Sequence, residues 1–253
     1  MTELVSHGPV RAGSPWSDVR VLAVKRETAT AKTFELDLGH PAQHLPGQHY
    51  VVRLTAPDGY QASRSYSVAS APDGRHVIEL TVERLPGGEV SEFLHDVVQP
   101  GDELEVRGPI GRWFVWEGET PALLVGGGSG VIPLMAMLRF ARARGLQDLV
   151  RLVLSVRAPG DLYYASEIGG AETTIVYTRA APRGSGRPPG RLVASDLEDL
   201  LEPPALPGVG LPLQGTVAYV CGSSAFVEHA SQLALKAGLA VGSVRTERFG
   251  PSG

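Results

Sequence analysis

Between Val19 and Arg107 the apolar residues come in short runs, rich in β-branched side chains and separated by Gly, Pro and Asp. The runs Val19–Val24, Thr33–Leu38, His49–Thr55, Ser65–Ser70, His76–Glu83 and Glu103–Arg107 have the length and spacing of strands joined by turns. Within Val77-Ile78-Glu79-Leu80-Thr81-Val82-Glu83 the alternation gives one face to a core and leaves the other polar. This series predicts an antiparallel barrel or sandwich, with Ser91–Val98 as a lone short helix inside it.

After Trp116 the period changes. Apolar runs Ala122–Val125, Arg151–Val156, Thr174–Tyr177 and Thr216–Val220 alternate with helical stretches such as Ile132–Arg144 and Ser224–Ala237. Alternation of this kind predicts a parallel sheet with crossover helices. The boundary falls near Trp113–Glu119, after a Gly108-Pro109-Ile110-Gly111 turn, and divides the chain into residues 1–115 and 116–253. Two Pro/Gly-rich stretches, Ala180–Arg191 and Glu202–Gly215, predict surface loops. Pro121–Leu138 carries no charge and is long enough to raise the question of a membrane span. Gly126, Gly127, Gly128, Gly130 and Pro133 interrupt it, and a strand, a glycine turn and a helix start account for it better.

Composition narrows the function. With 43% hydrophobic residues, 253 residues suffice for two modest domains. A net charge of -4 from 23 basic and 27 acidic residues offers no excess to counter a phosphate backbone, so no nucleic-acid partner is expected. The single cysteine, Cys221, excludes an internal disulfide, a thiolate zinc site and a four-cysteine iron–sulfur cluster, and suits a reducing cytoplasm. Met1–Trp16 lacks the apolar run of a secretory signal. The seven histidines are scattered along the chain, and no metal site is expected.

Candidate chemistry begins where Leu123-Leu124-Val125 runs into Gly126-Gly127-Gly128-Ser129-Gly130 and an apolar helix. Glycines let the backbone approach a pyrophosphate, and the helix start supplies N–H donors and a positive dipole end. Taken alone, a tight structural turn is an equal alternative; the strand-turn-helix context favours binding. Arg157 follows the second predicted strand of this half and Arg179 the third, with Arg183 and Arg187 in the next loop. Where an NAD-selective fold places a carboxylate, arginines suit the 2′-phosphate of NADP; for Arg183 and Arg187 a solvated loop serves as well. In the first half, alternation puts Arg64 and Tyr66 on one face and Ser65 and Ser67 on the other. Pro86-Gly87-Gly88-Glu89-Val90-Ser91 makes a second anion-approach turn with Ser91 as helix N-cap, or a plain hairpin turn. Cys221 ends a predicted parallel strand, where α/β clefts form, yet no histidine lies near it in sequence to make it a nucleophile.

Taken in order, Arg64-Ser65-Tyr66-Ser67, Gly87-Gly88-Glu89-Val90-Ser91, Gly108-Pro109-Ile110-Gly111, Gly126 to Pro133, Cys221-Gly222-Ser223 and Thr246-Glu247-Arg248-Phe249-Gly250 resemble the ferredoxin–NADP reductase superfamily. The resemblance runs along nearly the whole chain. It implies a two-domain protein: an antiparallel Greek-key β-barrel that binds flavin, then an α/β Rossmann-like parallel-sheet domain for the nicotinamide nucleotide. It also implies residue roles. Arg64 would bind the flavin pyrophosphate beside Ser65, Tyr66 would pack on the flavin, and the Ser67 hydroxyl would bond near flavin N5. Gly87, Gly88, Val90 and Ser91 would complete the phosphate site. Gly126, Gly127, Gly128, Ser129 and Gly130 would cradle the nucleotide's pyrophosphate, and Cys221 and Gly222 would border the nicotinamide. Glu247 would stand with Ser67 and Cys221 at the reacting rings.

Ser223 stands where many relatives carry proline, and Phe249, at the place of a flavin-stacking aromatic, is followed by Gly250-Pro251-Ser252-Gly253. One cysteine leaves no ligands for the fused iron–sulfur domain of some relatives, so electrons are expected to leave to a separate acceptor. The implied protein is a cytoplasmic, FAD-dependent NAD(P)H oxidoreductase, monomeric or weakly dimeric. Hydride passes from nicotinamide to flavin, then electrons to a small carrier such as ferredoxin or to an oxygenase component. FAD is expected before FMN, and NADPH before NADH. A reductase of free flavin and a non-catalytic flavin-binding regulatory module are the alternatives.

Overall fold

Six antiparallel strands form the first half of the computed structural model, which describes residues 15–201 and 210–250. They are β1 (Ser17–Arg26), β2 (Ala31–Asp37), β3 (His49–Thr55), β4 (Gln61–Ser67), β5 (Val77–Glu83) and β6 (Glu103–Ile110), in the order β4-β3-β6-β1-β2-β5. An antiparallel bridge between Val68 and Leu80 joins the two ends of this sheet, so the Greek key closes as a barrel. The alternating residues of β2 and β5 pack inward, Phe34 and Leu36 against Ile78, Leu80 and Val82. Helix α1 (Glu89–Asp96) covers the barrel with Val90 and Leu94 buried. Burying one such leucine contributes about 2 kcal/mol.

In the second half β7 (Ala122–Gly127), β8 (Val150–Val156), β9 (Thr173–Tyr177), β10 (Val217–Ser223) and β11 (Val244–Phe249) form a wholly parallel sheet in the order β11-β10-β7-β8-β9. Residues of β7 alternate between two cores: Ala122 and Leu124 face α2 (Val131–Arg144), while Leu123 and Val125 face α3 (Ser195–Leu201) and α4 (Ser224–Lys236). Helix α2 is apolar on nearly every side because its core also takes in Ala31 and Ala69 of the barrel domain. It ends at Gly145, whose φ of 69° lets the chain turn away in a left-handed cap. The connecting segment is pinned by Tyr219 and Arg245, which both donate to the Val115 carbonyl at 2.9 Å, and by Phe114 edge-on to Tyr219. Among the described residues no helix is long and apolar enough to cross a membrane.

The structure corrects several expectations. β4 begins at Gln61 and ends at Ser67, so Arg64-Ser65-Tyr66-Ser67 closes a strand rather than opening one. Gly108-Pro109-Ile110 continues β6 instead of turning, because its backbone still pairs with His49 of β3. Helix α3 and strand β11 were not anticipated: the first is only seven residues long, and the second, VRTERF, has little apolar alternation. The Glu202–Gly215 loop lies in part, and Met1–Ser14 wholly, outside the described residues.

Candidate functional site

The order of the parallel sheet reverses between β7 and β10: the chain goes from β7 outward to β8 and β9, then returns to β10 and on to β11. Crossovers leaving two such strands diverge to opposite faces, so a crevice opens at their carboxyl ends. Gly126–Gly130 and Cys221–Gly222 sit there, with Cys221 directly opposite Gly126 in the ladder. The two turns touch. A Cβ on Gly130 would collide with the Cys221 carbonyl group, and one on Gly127 would come within 2.6 Å of the Phe226 ring. Gly128 differs: at φ 57° its missing side chain would meet nothing within 4 Å. Thus packing against β10 demands Gly130 and packing against Phe226 of α4 demands Gly127, while Gly128 faces open space at the start of the 3₁₀ turn, Gly128–Gly130, that leads into α2. Ser223, at the position where proline was the expected family residue, caps α4 by accepting from the Phe226 N–H at 3.4 Å.

Register brings Glu247 of β11 opposite Cys221, Arg248 opposite Gly222 and Phe249 opposite Ser223. Glu247 Oε2 is buried without a partner, and burial pushes this carboxyl up to about 7. Burial and the charge of Glu247 both raise the Cys221 thiol, only partly opposed by a hydrogen bond from the Gly222 backbone, so Cys221 is a neutral thiol. Phe249 is half-buried against the core cluster that contains Cys221 and Val131.

The barrel supplies the other half. Arg64 projects into solvent and, among the described residues, donates only to the neighbouring Ser63 carbonyl, at 2.7 Å, and Ser65 is exposed. Tyr66 packs on the barrel core, and burial raises its phenol well above the usual range despite the Arg64 charge. Ser67 is 4% exposed and its Oγ has no partner. Ser91 is not the N-cap. Gly88 holds that position, and Ser91, third residue of α1, accepts from the Leu85 N–H (3.1 Å) and donates to the Gly88 carbonyl (3.0 Å). Its hydroxyl therefore shapes the Gly87-Gly88 turn, while Val90 is buried beneath it.

A cavity of 390 Å³ opens beyond β8 and β9, lined by Ser155, Arg157, Thr178, Arg179, Arg191 and His229 among others. None of these three arginines has a carboxylate partner among the described residues. Arg187 leaves the expected cluster: it is held by Asp196 at 2.7 and 2.9 Å. Arg183 is exposed and does not line the cavity. Arg191 and His229 were not anticipated, since one ends a loop assigned to the surface and the other lies on α4; their meeting is a tertiary fact.

The model of an oxidoreductase FAD-binding domain matches residues 18–115, and that of an oxidoreductase NAD-binding domain matches residues 124–232. The chain belongs to the ferredoxin–NADP reductase family. It is an FAD-dependent NAD(P)H oxidoreductase. A Ralstonia protein, the ferredoxin–NAD(P)(+) reductase component of naphthalene 1,2-dioxygenase/salicylate 5-hydroxylase systems, is 29% identical over 242 residues, 92% of this chain and 69% of that one. The glycine betaine monooxygenase reductase subunit of Chromohalobacter salexigens is 36% identical over 156 residues, 60% of this chain and 42% of that one. Among solved structures, an Amycolatopsis cytochrome P450 reductase superposes with a TM-score of 0.76 at 27% identity, covering 96% of this chain and 73% of that one. A Neisseria gonorrhoeae ferredoxin NADP+ reductase with bound FAD and NADP gives 0.76 at 21%, covering 92% and 98%, and bears on the fold alone. The residues present fit both cofactors. A buried hydroxyl and a buried carboxyl oxygen wait without partners, and three guanidinium groups without carboxylate partners line one cavity.

Proposed function

We propose that the reductase holds FAD on Arg64, Ser65, Tyr66 and Ser67 of β4 and on the turn Gly87, Gly88, Val90 and Ser91, and that it receives hydride from NADPH. Bound FAD supplies acceptance of hydride from the nicotinamide and release of single electrons. The protein's part is to bind, orient and exclude water. Arg64 neutralises the flavin pyrophosphate, Tyr66 stacks, and the Ser67 hydroxyl takes the hydrogen bond it lacks within the protein. On the other side the start of α2 at Gly128–Gly130 donates N–H groups to the nucleotide pyrophosphate. Cys221 and Gly222 border the nicotinamide, Phe249 closes the crevice, and Glu247, raised by burial to about 7, holds a carboxyl that exchanges its proton near neutral pH beside the reacting rings.

The observation that carries this reading is the pairing of two buried, partnerless oxygens, Ser67 Oγ and Glu247 Oε2, one on each cofactor-binding domain. Preference for NADPH is supported by Arg157, Arg179 and Arg191 around a cavity beyond the second and third strands, where a bidentate grip on a 2′-phosphate is available. The names of the relatives support a small ferredoxin or an oxygenase component as the electron acceptor. Anaerobic titration of the flavin-loaded protein tests the reading. Stoichiometric loss of the yellow absorbance is expected with NADPH at concentrations well below those needed with NADH. A flavin that neither nucleotide bleaches would leave only a binding module.

A further inference from the structure

β5 turns Ile78, Leu80 and Val82 into the barrel and Glu79, Thr81 and Glu83 outward, yet this outward face meets the second domain residue by residue. Arg139 of α2 donates to Glu79 at 2.6 Å and to the Ala69 carbonyl at 2.9 Å, while its remaining nitrogens reach Glu167 at 2.8 and 2.6 Å. The Tyr164 hydroxyl donates to Thr81 at 2.6 Å, and the Thr81 and Thr33 hydroxyls share a bond of 2.7 Å. Glu27 closes the circuit by accepting from Thr33 and from the Tyr164 N–H, both at 3.2 Å. Tyr163 hydrogen-bonds Glu83. Tyr164 is buried with φ 52°, a conformation that bulky residues avoid and that these bonds hold in place. Burial alone would strip charge from Arg139, but the hydrogen bonds and charges of Glu167 and Glu79 outweigh it and keep the guanidinium charged.

The anchor points lie on the elements that begin or end at the two half-sites. Ala69 follows Ser67 by two residues, and the Val68–Leu80 bridge locks that segment to β5. α2 starts at Val131, next to the Gly130 contact with Cys221, and Arg139 lies about 12 Å further along its axis. One side chain thus ties the helix that starts at the nucleotide turn to the backbone that leaves the flavin-side serine. A buried ion pair adds little net stability against an apolar substitute, but its directional bonds select one geometry. Hydride transfer requires that selectivity, because reacting atoms must approach within roughly 3.5 Å and an error of about 1 Å can cost about 100-fold in rate.

We propose that Arg139, gripping Glu79, Glu167 and the Ala69 carbonyl, is a positioning residue that fixes the angle between the two domains and with it the separation of the two rings; this rests on the function proposed above. Arg139→Met is compared with Arg142→Met, whose ion pair with Glu172 lies wholly within the second domain. In calorimetry of the flavin-free proteins, the wild type and Arg142→Met should unfold in one transition and Arg139→Met in two. In anaerobic rapid mixing of the flavin-loaded proteins, Arg139→Met should lose at least tenfold in the limiting rate of flavin bleaching, with the nucleotide Kd within twofold and partial recovery in Arg139→Lys. A limiting rate within twofold of wild type, or a drop matched by Arg142→Met, overturns the proposal. Should Arg139→Met not accumulate, Tyr164→Phe, which removes one oxygen, carries the same test with an expected fall of about threefold. If wild type itself is not bleached, the proposed function fails, and the calorimetric comparison still judges the domain coupling.

Discussion

At the end of β4 the candidate contacts are side chains standing on a strand that folds without them: Arg64 lies in solvent and the Ser67 hydroxyl is unspent. At the ends of β7 and β10 they are backbone, drawn together so tightly that Gly130 has no room for a Cβ, while the Phe226 ring fills the space beside Gly127. The flavin side should therefore lose its ligand without losing its fold. The nucleotide side should lose both together, because the atoms that bind are the atoms that pack.

The sharpest break of this contrast is Gly130→Ala. Its methyl would strike the Cys221 carbonyl, with backbone on both sides unable to yield. Chemical denaturation should show a loss of about 3 kcal/mol, whereas Gly128→Ala, which meets open space at φ 57°, should cost only about 1 kcal/mol. Equal costs would mean that the two turns are not packed as described.

Next comes Glu247. Burial lifts its carboxyl from 4.5 to about 7, so the folded protein holds a proton that the unfolded chain releases between those values. Stability of the flavin-free protein from this group is full below pH 4.5 and falls as pH rises through 7, by up to about 1.4 kcal/mol per unit. Glu247→Gln should flatten that slope in denaturation curves taken across the window; an unchanged slope would assign it to another group.

Within the nucleotide half, Arg157→Ala and Arg179→Ala, with Arg191→Ala as the residue added by the structure, should each raise the KM for NADPH about tenfold or more while moving that for NADH less than threefold. Equal shifts for both nucleotides would remove the 2′-phosphate assignment. The mildest change is Arg64→Ala. It should lower flavin affinity about tenfold yet leave the unfolding midpoint of the flavin-free protein within about 0.5 kcal/mol of wild type, as expected for an exposed residue without an ion pair. A large loss of stability there would erase the difference between the two half-sites.

Much of the fold was legible in advance for a physical reason. β5 alternates from Ile78 to Glu83, and VRLVLSV of β8 is apolar but for Arg151 and Ser155, as strands covered on one or two faces are. VRTERF of β11 was illegible because it is an edge strand that shows few apolar residues. Ser91 looked like a cap because serine at a helix start usually is one, but the Gly87-Gly88 turn begins the helix earlier and takes the hydroxyl for itself. Arg187, which sequence left between a phosphate site and a solvated loop, is claimed by Asp196, nine residues on.

Local pattern and composition by themselves determined the two classes of sheet, the helices α2 and α4 and the Gly126–Gly130 turn, because these follow from period and backbone freedom within a few residues. Tertiary structure alone decided which charges remain free for a ligand and which are consumed. Alternation marked one side of β5 only as polar, and tertiary structure made it the seat of Arg139, Tyr163 and Tyr164, because the partner of a charge is chosen by distance in space.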